Sequence, residues 1–383
     1  MTSLFSGSRT AELASRGLTR RDFARLAAFL AAGTWQAVNS ESALAQLSQV
    51  KAIPPGATRI NSNENPLGPC PEALEAVHRA LTNAGRYQFE LIEAFKQAMA
   101  TDAGLPLDHI TAYAGSSAPL HQAVLAFCGP NRPFVTADPG YEAGEMAAKV
   151  LGAPVLKVPL TASYAHDVKA MAAASPNAGL IYLCNPNNPT GTLTPHADIV
   201  WLADHLPPGC ILLLDEAYIH MTDAPLETAL IRAGKDVVIL RTFSKIYGMA
   251  GLRAGAALGR PEHLTKISKW SSGPLPSLGM AAATASLGVP DLVAKRRKLI
   301  AEIRGETFAF LKQNGVAFVP SHSNCFMIQT PRPGADLVAA LRTHNVFVGR
   351  VWPSWPNHVR VSVGTREDMA KFHAALLKVL APA

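Results

Sequence analysis

Short apolar runs recur along this chain, and each stops abruptly at glycine, serine, asparagine, aspartate or lysine. Residues 110–114 run into Gly115-Ser116-Ser117, and residues 133–137 into Asp138-Pro139-Gly140-Tyr141. Residues 180–184 meet Asn185-Pro186-Asn187-Asn188-Pro189-Thr190-Gly191. Residues 211–214 meet Asp215-Glu216-Ala217-Tyr218, and residues 237–240 lead to Thr242-Phe243-Ser244-Lys245. Runs this short and apolar read as buried strands. Helical patterns separate them, so the expected fold is α/β with a mainly parallel central sheet flanked by helices. Ligands bind such sheets at the carboxyl ends of the strands, where every polar cluster above falls.

A further strand is expected at residues 254–259. Helices are expected over residues 71–81, 89–99, 277–287, 291–312 and 337–344, and one starts near Pro119. The second of these places Phe89, Ile92, Phe95 and Met99 on one face. Residues 160–174 read as a connection with helical character. A strand pair at 318–321 and 324–329, closed by residues 359–366, suggests a smaller α+β domain at the C-terminus. The expected division is 46–88 as an N-terminal arm and active-site loop, 89–290 as a large cofactor-binding domain, and 291–383 as a small C-terminal domain.

The chemistry concentrates after residue 241. Lysine just past a strand end can form a Schiff base with an aldehyde. Hydroxyls before it, Thr242 and Ser244, and the guanidinium of Arg253 can hold a phosphate. Gly115-Ser116-Ser117 at a helix start is a second phosphate cradle in outline. Asp215, a carboxylate at the end of an apolar run, is costly unless a cation pairs with it. A protonated pyridine nitrogen is such a cation. These features describe a pocket for pyridoxal 5'-phosphate.

On these motifs the chain resembles the class I/II pyridoxal-phosphate aminotransferases of fold type I. Arg241-Thr242-Phe243-Ser244-Lys245 and Asn63-Glu64-Asn65-Pro66-Leu67-Gly68-Pro69 are most similar to the histidinol-phosphate aminotransferase branch. The resemblance implies that Lys245 is catalytic and carries the cofactor. It implies that Asn188 and Tyr218 reach the cofactor's phenolic oxygen, that Asp215 holds the ring-nitrogen proton, and that Tyr141 stacks on the ring. Gly115, Ser116, Ser117, Thr242, Ser244 and Arg253 hold the phosphate, and Tyr87 reaches the phosphate of a partner subunit. Arg360 clamps a substrate carboxylate, and Asn65 and Asn324 join it on the substrate side. Arg350, near Trp352 and Trp355, reads as an exposed loop arginine, and Arg366 as structural.

The activity so implied moves an amino group between an amino acid or histidinol-phosphate-like amine and a 2-oxo acid, in a homodimer. The same residues also serve two rival readings. One is decarboxylation of an amino acid or amino-acid phosphate; the other is a cofactor-binding protein without turnover.

The N-terminus reads as an address. Thr19-Arg20-Arg21-Asp22-Phe23 precedes a short apolar stretch at 26–33, and Ala43-Leu44-Ala45 supplies an A-x-A cleavage pattern before Gln46. Residues 1–45 thus resemble a twin-arginine signal peptide. The expected route is folding and cofactor loading in the cytoplasm, passage through the twin-arginine machinery, and residence in the periplasm without a stable membrane anchor. The net charge of +7 is not gathered into a basic run with aromatics, which argues against nucleic acid. The five cysteines are scattered singly, so no metal site is expected.

Overall fold

Why the apolar runs stop where they do is visible in the sheet they build. The computed structural model describes residues 53–271 and 273–380; the signal-peptide reading of residues 1–45 lies outside them. The strands are β1 (Thr58–Ile60), β2 (Ile110–Tyr113), β3 (Phe134–Asp138), β4 (Val155–Pro159), β5 (Leu180–Cys184) and β6 (Ile211–Asp215). They continue with β7 (Val237–Thr242), β8 (Gly255–Gly259), β9 (Phe318–Val319), β10 (Cys325–Gln329), β11 (Val346–Val348) and β12 (His358–Ser362).

A seven-stranded sheet in the order β2-β8-β7-β6-β5-β3-β4 forms the centre. Its neighbours pair in parallel, except that β8 runs antiparallel to both β7 and β2. Strands β5 to β8 are buried at every position. Each fully buried Leu, Ile or Val contributes about 1.5–3 kcal/mol of transfer free energy. The reversal of β8 has a functional consequence. Its amino end lies at the same edge as the carboxyl ends of the parallel strands, so Arg253, just before β8, reaches the edge that carries Asn188, Asp215 and Lys245.

Among the described residues two smaller sheets accompany the central sheet. Strands β9, β10 and β12 are antiparallel, in the order β12-β10-β9. Strand β1 pairs in parallel with β11, tying the N-terminal arm to the C-terminal part of the chain. Helix Pro71–Leu81 opens with Pro at its first turn, where a missing N–H costs nothing. It packs on helix Ser277–Leu287 through Ala76, Ala80 and Ala281.

The helical character expected over residues 160–174 is the short helix Val168–Ala173, and the edge strand β4 precedes it. The helix expected from near Pro119 spans Ser117–Phe127. One local expectation is corrected. Phe89 does not join Phe95 and Met99 in the core; it is 62% exposed and stacks on Tyr87. Arg366 pairs with Glu302 and Glu306 on helix Leu292–Gln313, as a structural residue does.

Candidate active site

The lysine loop leaves β7 at Thr242, whose hydroxyl donates to Ser244 Oγ at 3.0 Å. Ser244 Oγ also accepts from Arg253 Nη1 at 3.2 Å. Arg253 spans the edge, donating to Ala250 O at 2.8 Å and to Ala114 O at 2.9 Å. It can pass there because residue 115 is glycine. A Cβ at Gly115 would collide with Arg253 Nη2, and its φ of +89° suits glycine alone. Ser116 precedes helix Ser117–Phe127 without a side-chain capping bond. Ser117 Oγ and Tyr141 Oη lie 3.5 Å apart. Hydroxyls, a helix N-terminus and a guanidinium thus converge on one spot. That donor set fits a phosphate dianion.

Deeper in, Asp215 ends β6 and is 2% exposed. Its Oδ2 accepts from Tyr182 Oη at 2.9 Å, and its Oδ1 from the Ala217 N–H at 3.0 Å. Lys245 Nζ stands 5.7 Å from the centre of the Tyr218 ring. Tyr218 Oη accepts from Asn63 Nδ2 at 3.0 Å. Burial pushes the Tyr218 phenol well above its ordinary range, against the opposing pull of the nearby Arg360 charge. Arg360 Nη1 donates to Asn188 Oδ1 at 2.9 Å, and its Nη2 to Asn61 O at 2.8 Å. Burial lowers the Arg360 pKa.

The structure therefore gathers Lys245, Tyr218, Asn188 and Arg360 on one side, and Thr242, Ser244, Arg253 and Gly115 on the other. The remaining expected residues are differently engaged. Asn65 Nδ2 donates to Ile246 O at 2.9 Å, and its Oδ1 accepts from Leu67 N, so it ties the arm to the lysine loop. Asn324 Nδ2 donates to the carbonyls of Asn63 and Glu64, which holds the asparagine loop in place. Tyr87 is 65% exposed and stacks on Phe89, with ring centres 5.5 Å apart. Arg350 is not the exposed loop arginine expected. Its side chain is 18% exposed, ion-paired with Glu142 at 2.5 Å and 4.1 Å from the Trp352 ring centre.

Several residues beyond those expected from the sequence shape the site. Asn63, at a left-handed φ of 54°, bonds Tyr218 and also donates to Cys325 Sγ at 3.2 Å. Its signal was available, since asparagine is among the few residues enriched in that conformation. Arg296 donates to Ile246 O at 2.9 Å and to Gly68 O at 2.7 Å. Buried Arg241 and Glu216 pair at 2.6 Å beside Thr242 and Asp215. Neither arginine had a local signal, because the partner comes from another element.

Comparison with known proteins agrees with this geometry. Residues 56–376 match the family model "Aminotransferase class I and II". The chain belongs to that family and is a pyridoxal-phosphate-dependent aminotransferase of fold type I. A histidinol-phosphate aminotransferase of Symbiobacterium thermophilum is 35% identical over 327 residues, 84% of this chain and 90% of the relative. An aromatic amino acid aminotransferase of Cutibacterium acnes is 33% identical over 313 residues, 80% and 88% of the two chains. The crystal structure of histidinol-phosphate aminotransferase from Sinorhizobium meliloti, in complex with pyridoxal-5'-phosphate, superposes with a TM-score of 0.79 at 29% identity. It covers 88% of this chain and 93% of that one.

Proposed function

We propose that this aminotransferase moves an amino group between a histidinol-phosphate-like amine or an amino acid and a 2-oxo acid, as an exported homodimer. The observation that carries the substrate reading is the pair Arg360–Asn188 on the Lys245 side of the site. Arg360 offers a planar fork that suits a carboxylate or a phosphate oxygen pair. The relatives named for histidinol phosphate and for aromatic amino acids support both donor classes.

In this reading Thr242, Ser244, Arg253 and the Gly115–Ser117 turn hold the cofactor phosphate. Asp215 meets the ring nitrogen, Asn188 and Tyr218 the phenolic oxygen, and Tyr141 the ring face. The bound cofactor supplies a carbonyl carbon that takes up the amine and a ring that withdraws electrons from the substrate Cα. With the cofactor bound, Lys245 Nζ would move the Cα proton as base and then as acid. Tyr218, kept protonated by burial, donates rather than ionises near neutrality.

Pairing of two copies is supported by the exposed apolar side chains of the N-terminal arm, Leu74, Leu81 and Tyr87, and of Phe89 just after it. Tyr87 would then act across the interface. Export is supported by the twin-arginine pattern and by a family match that begins only at residue 56. The five cysteines are buried and none is in a disulfide, and folding before export would shield them from an oxidising compartment.

The test is an absorbance titration of the cofactor-loaded chain from Gln46 onward with histidinol phosphate, tyrosine, phenylalanine and aspartate. The expected result is conversion of the visible cofactor band by one donor class and its return with 2-oxoglutarate. A wild-type protein with bound cofactor that no donor converts would sink the proposal, as would a band that persists unchanged in Lys245→Ala. Sedimentation of the same sample reads the dimer. Retention of an Arg20→Lys/Arg21→Lys double variant in the cytoplasm reads the export route, and unchanged export overturns it.

A further inference from the structure

Tyr182 sits on β5 directly opposite Leu213 of β6, with Cys184 opposite Asp215. Side chains alternate along a strand, so Tyr182, Cys184, Leu213 and Asp215 share one face of the sheet. The phenol reaches diagonally along that face and donates to Asp215 Oδ2 at 2.9 Å. Both side chains are 2% exposed. The Ala217 N–H takes the other oxygen at 3.0 Å, so each oxygen of the carboxylate has its own donor and its plane is fixed.

We propose that Tyr182 is a positioning residue for the cofactor's ring nitrogen: its hydroxyl orients the Asp215 carboxylate and keeps it ionised, so that the shared proton stays on the ring. This rests on the reading of Asp215 as the partner of that nitrogen. The physical reason is that a hydrogen bond donated to a carboxylate stabilises its charged form and lowers its affinity for a proton. Removal of the donor shifts the proton toward the carboxylate, and a ring without its proton withdraws electrons less well. Tyr182 is suited to the task because it stays a donor. Burial, and then the Asp215 charge, push its phenol well above the ordinary range. Cys184 and Tyr141 are titratable groups that also face the Tyr182 phenol. Cys184 is kept protonated by burial, and its thiol donates to Pro186 O at 3.2 Å.

Tyr182→Phe removes the hydroxyl and keeps the ring that packs near Phe134. The holoenzyme is reconstituted with cofactor labelled with nitrogen-15 in the ring, and the ring nitrogen is read by NMR at neutral pH. In Tyr182→Phe the signal is expected to move toward that of the unprotonated ring. The value of kcat is expected to fall about tenfold, the scale of one charged hydrogen bond, with KM for the 2-oxo acid nearly unchanged. A 3-fluorotyrosine at position 182, a stronger donor, is expected to hold the signal at the protonated value. A wild-type nitrogen signal in Tyr182→Phe, with only a lowered melting temperature, overturns the inference. If that variant does not fold, a fluorotyrosine protein whose signal moves toward the unprotonated ring overturns it instead. Asp215→Asn separates the two levels. If it leaves the nitrogen signal unchanged, the reading of Asp215 itself fails. If it shifts the signal while Tyr182→Phe does not, only the role of Tyr182 fails.

Discussion

At the scale of single residues, the absence of one side chain decides where Arg253 can go. Gly115→Ala places a methyl group against the guanidinium and adds the strain of a positive φ, about 1–2 kcal/mol for an L-residue. Displacement of Arg253 removes a charge-assisted donor from the proposed phosphate cradle. The cofactor dissociation constant is expected to rise about tenfold or more, measured by dialysis against free cofactor; an unchanged constant would show that the cradle does not depend on Arg253. Arg360 makes a complementary case. Arg360→Lys keeps the charge but loses the fork that reaches Asn188 and Asn61 together. KM for the 2-oxo acid is expected to rise roughly ten- to a hundredfold, with a smaller effect on kcat. Equal KM in the two proteins would remove Arg360 from the substrate site. Gly115, Arg253 and Lys245 were legible as candidates in the sequence because local spacing and residue chemistry mark them. The bond from Tyr182 to Asp215 spans 33 residues, and that from Asn63 to Tyr218 spans 155. Such pairs depend on sheet register and tertiary packing, which a single sequence does not display.

At the scale of elements, the carbonyl of Ile246, the residue after Lys245, joins three parts of the chain. Asn65 from the arm and Arg296 from helix Leu292–Gln313 both donate to it, and Arg296 also holds Gly68 O. Close approach is needed as well, since a Cβ at Gly248 would run into the Gly68 carbonyl. Arg296→Leu leaves the half-buried contact with Gly68 O unmade and strips one buried donor from Ile246 O. A cost of about 1–3 kcal/mol is expected, with faster hydrogen exchange confined to residues 65–68 and 245–249 and a fall in kcat. Exchange that rises evenly over the whole chain would mean that Arg296 serves general stability only. The central strands could be read in advance because burial on both faces leaves an unbroken apolar run. Strand β4 could not, because it lies at the sheet edge and its Lys157 and half-exposed neighbours break the run. The reversed direction of β8 was equally hidden, since an apolar run carries no direction.

At the scale of the whole molecule, the α/β class was legible from the alternation of strand and helix patterns, whereas the interior polar groups were not. Those groups set the response of the fold to acid. His121 and His166 are 1% and 3% exposed. Burial lowers their pKa values to about 4 and about 3, from an ordinary value of 6.5. Both are therefore neutral in the folded protein at a pH where the unfolded chain binds protons. A depressed folded-state pKa means that this share of stability is present above pH 6.5 and is lost as pH falls toward the folded-state values. At one unit below 6.5, each histidine removes about 1.4 kcal/mol, so the pair removes roughly 3 kcal/mol. Asp102 and Glu227, whose pKa values burial raises, act in the opposite direction, but only lower, where carboxylates begin to protonate. The urea midpoint of unfolding is thus expected to fall between about pH 7.5 and 5.5, before carboxylate protonation dominates. Burial holds His220 at about 3 as well, so a double variant, His121→Gln with His166→Gln, is expected to start less stable and to keep only part of the loss over the same interval. A wild-type midpoint that stays constant across that interval would mean that the two histidines gain protons without unfolding, and that the interior around them admits charge.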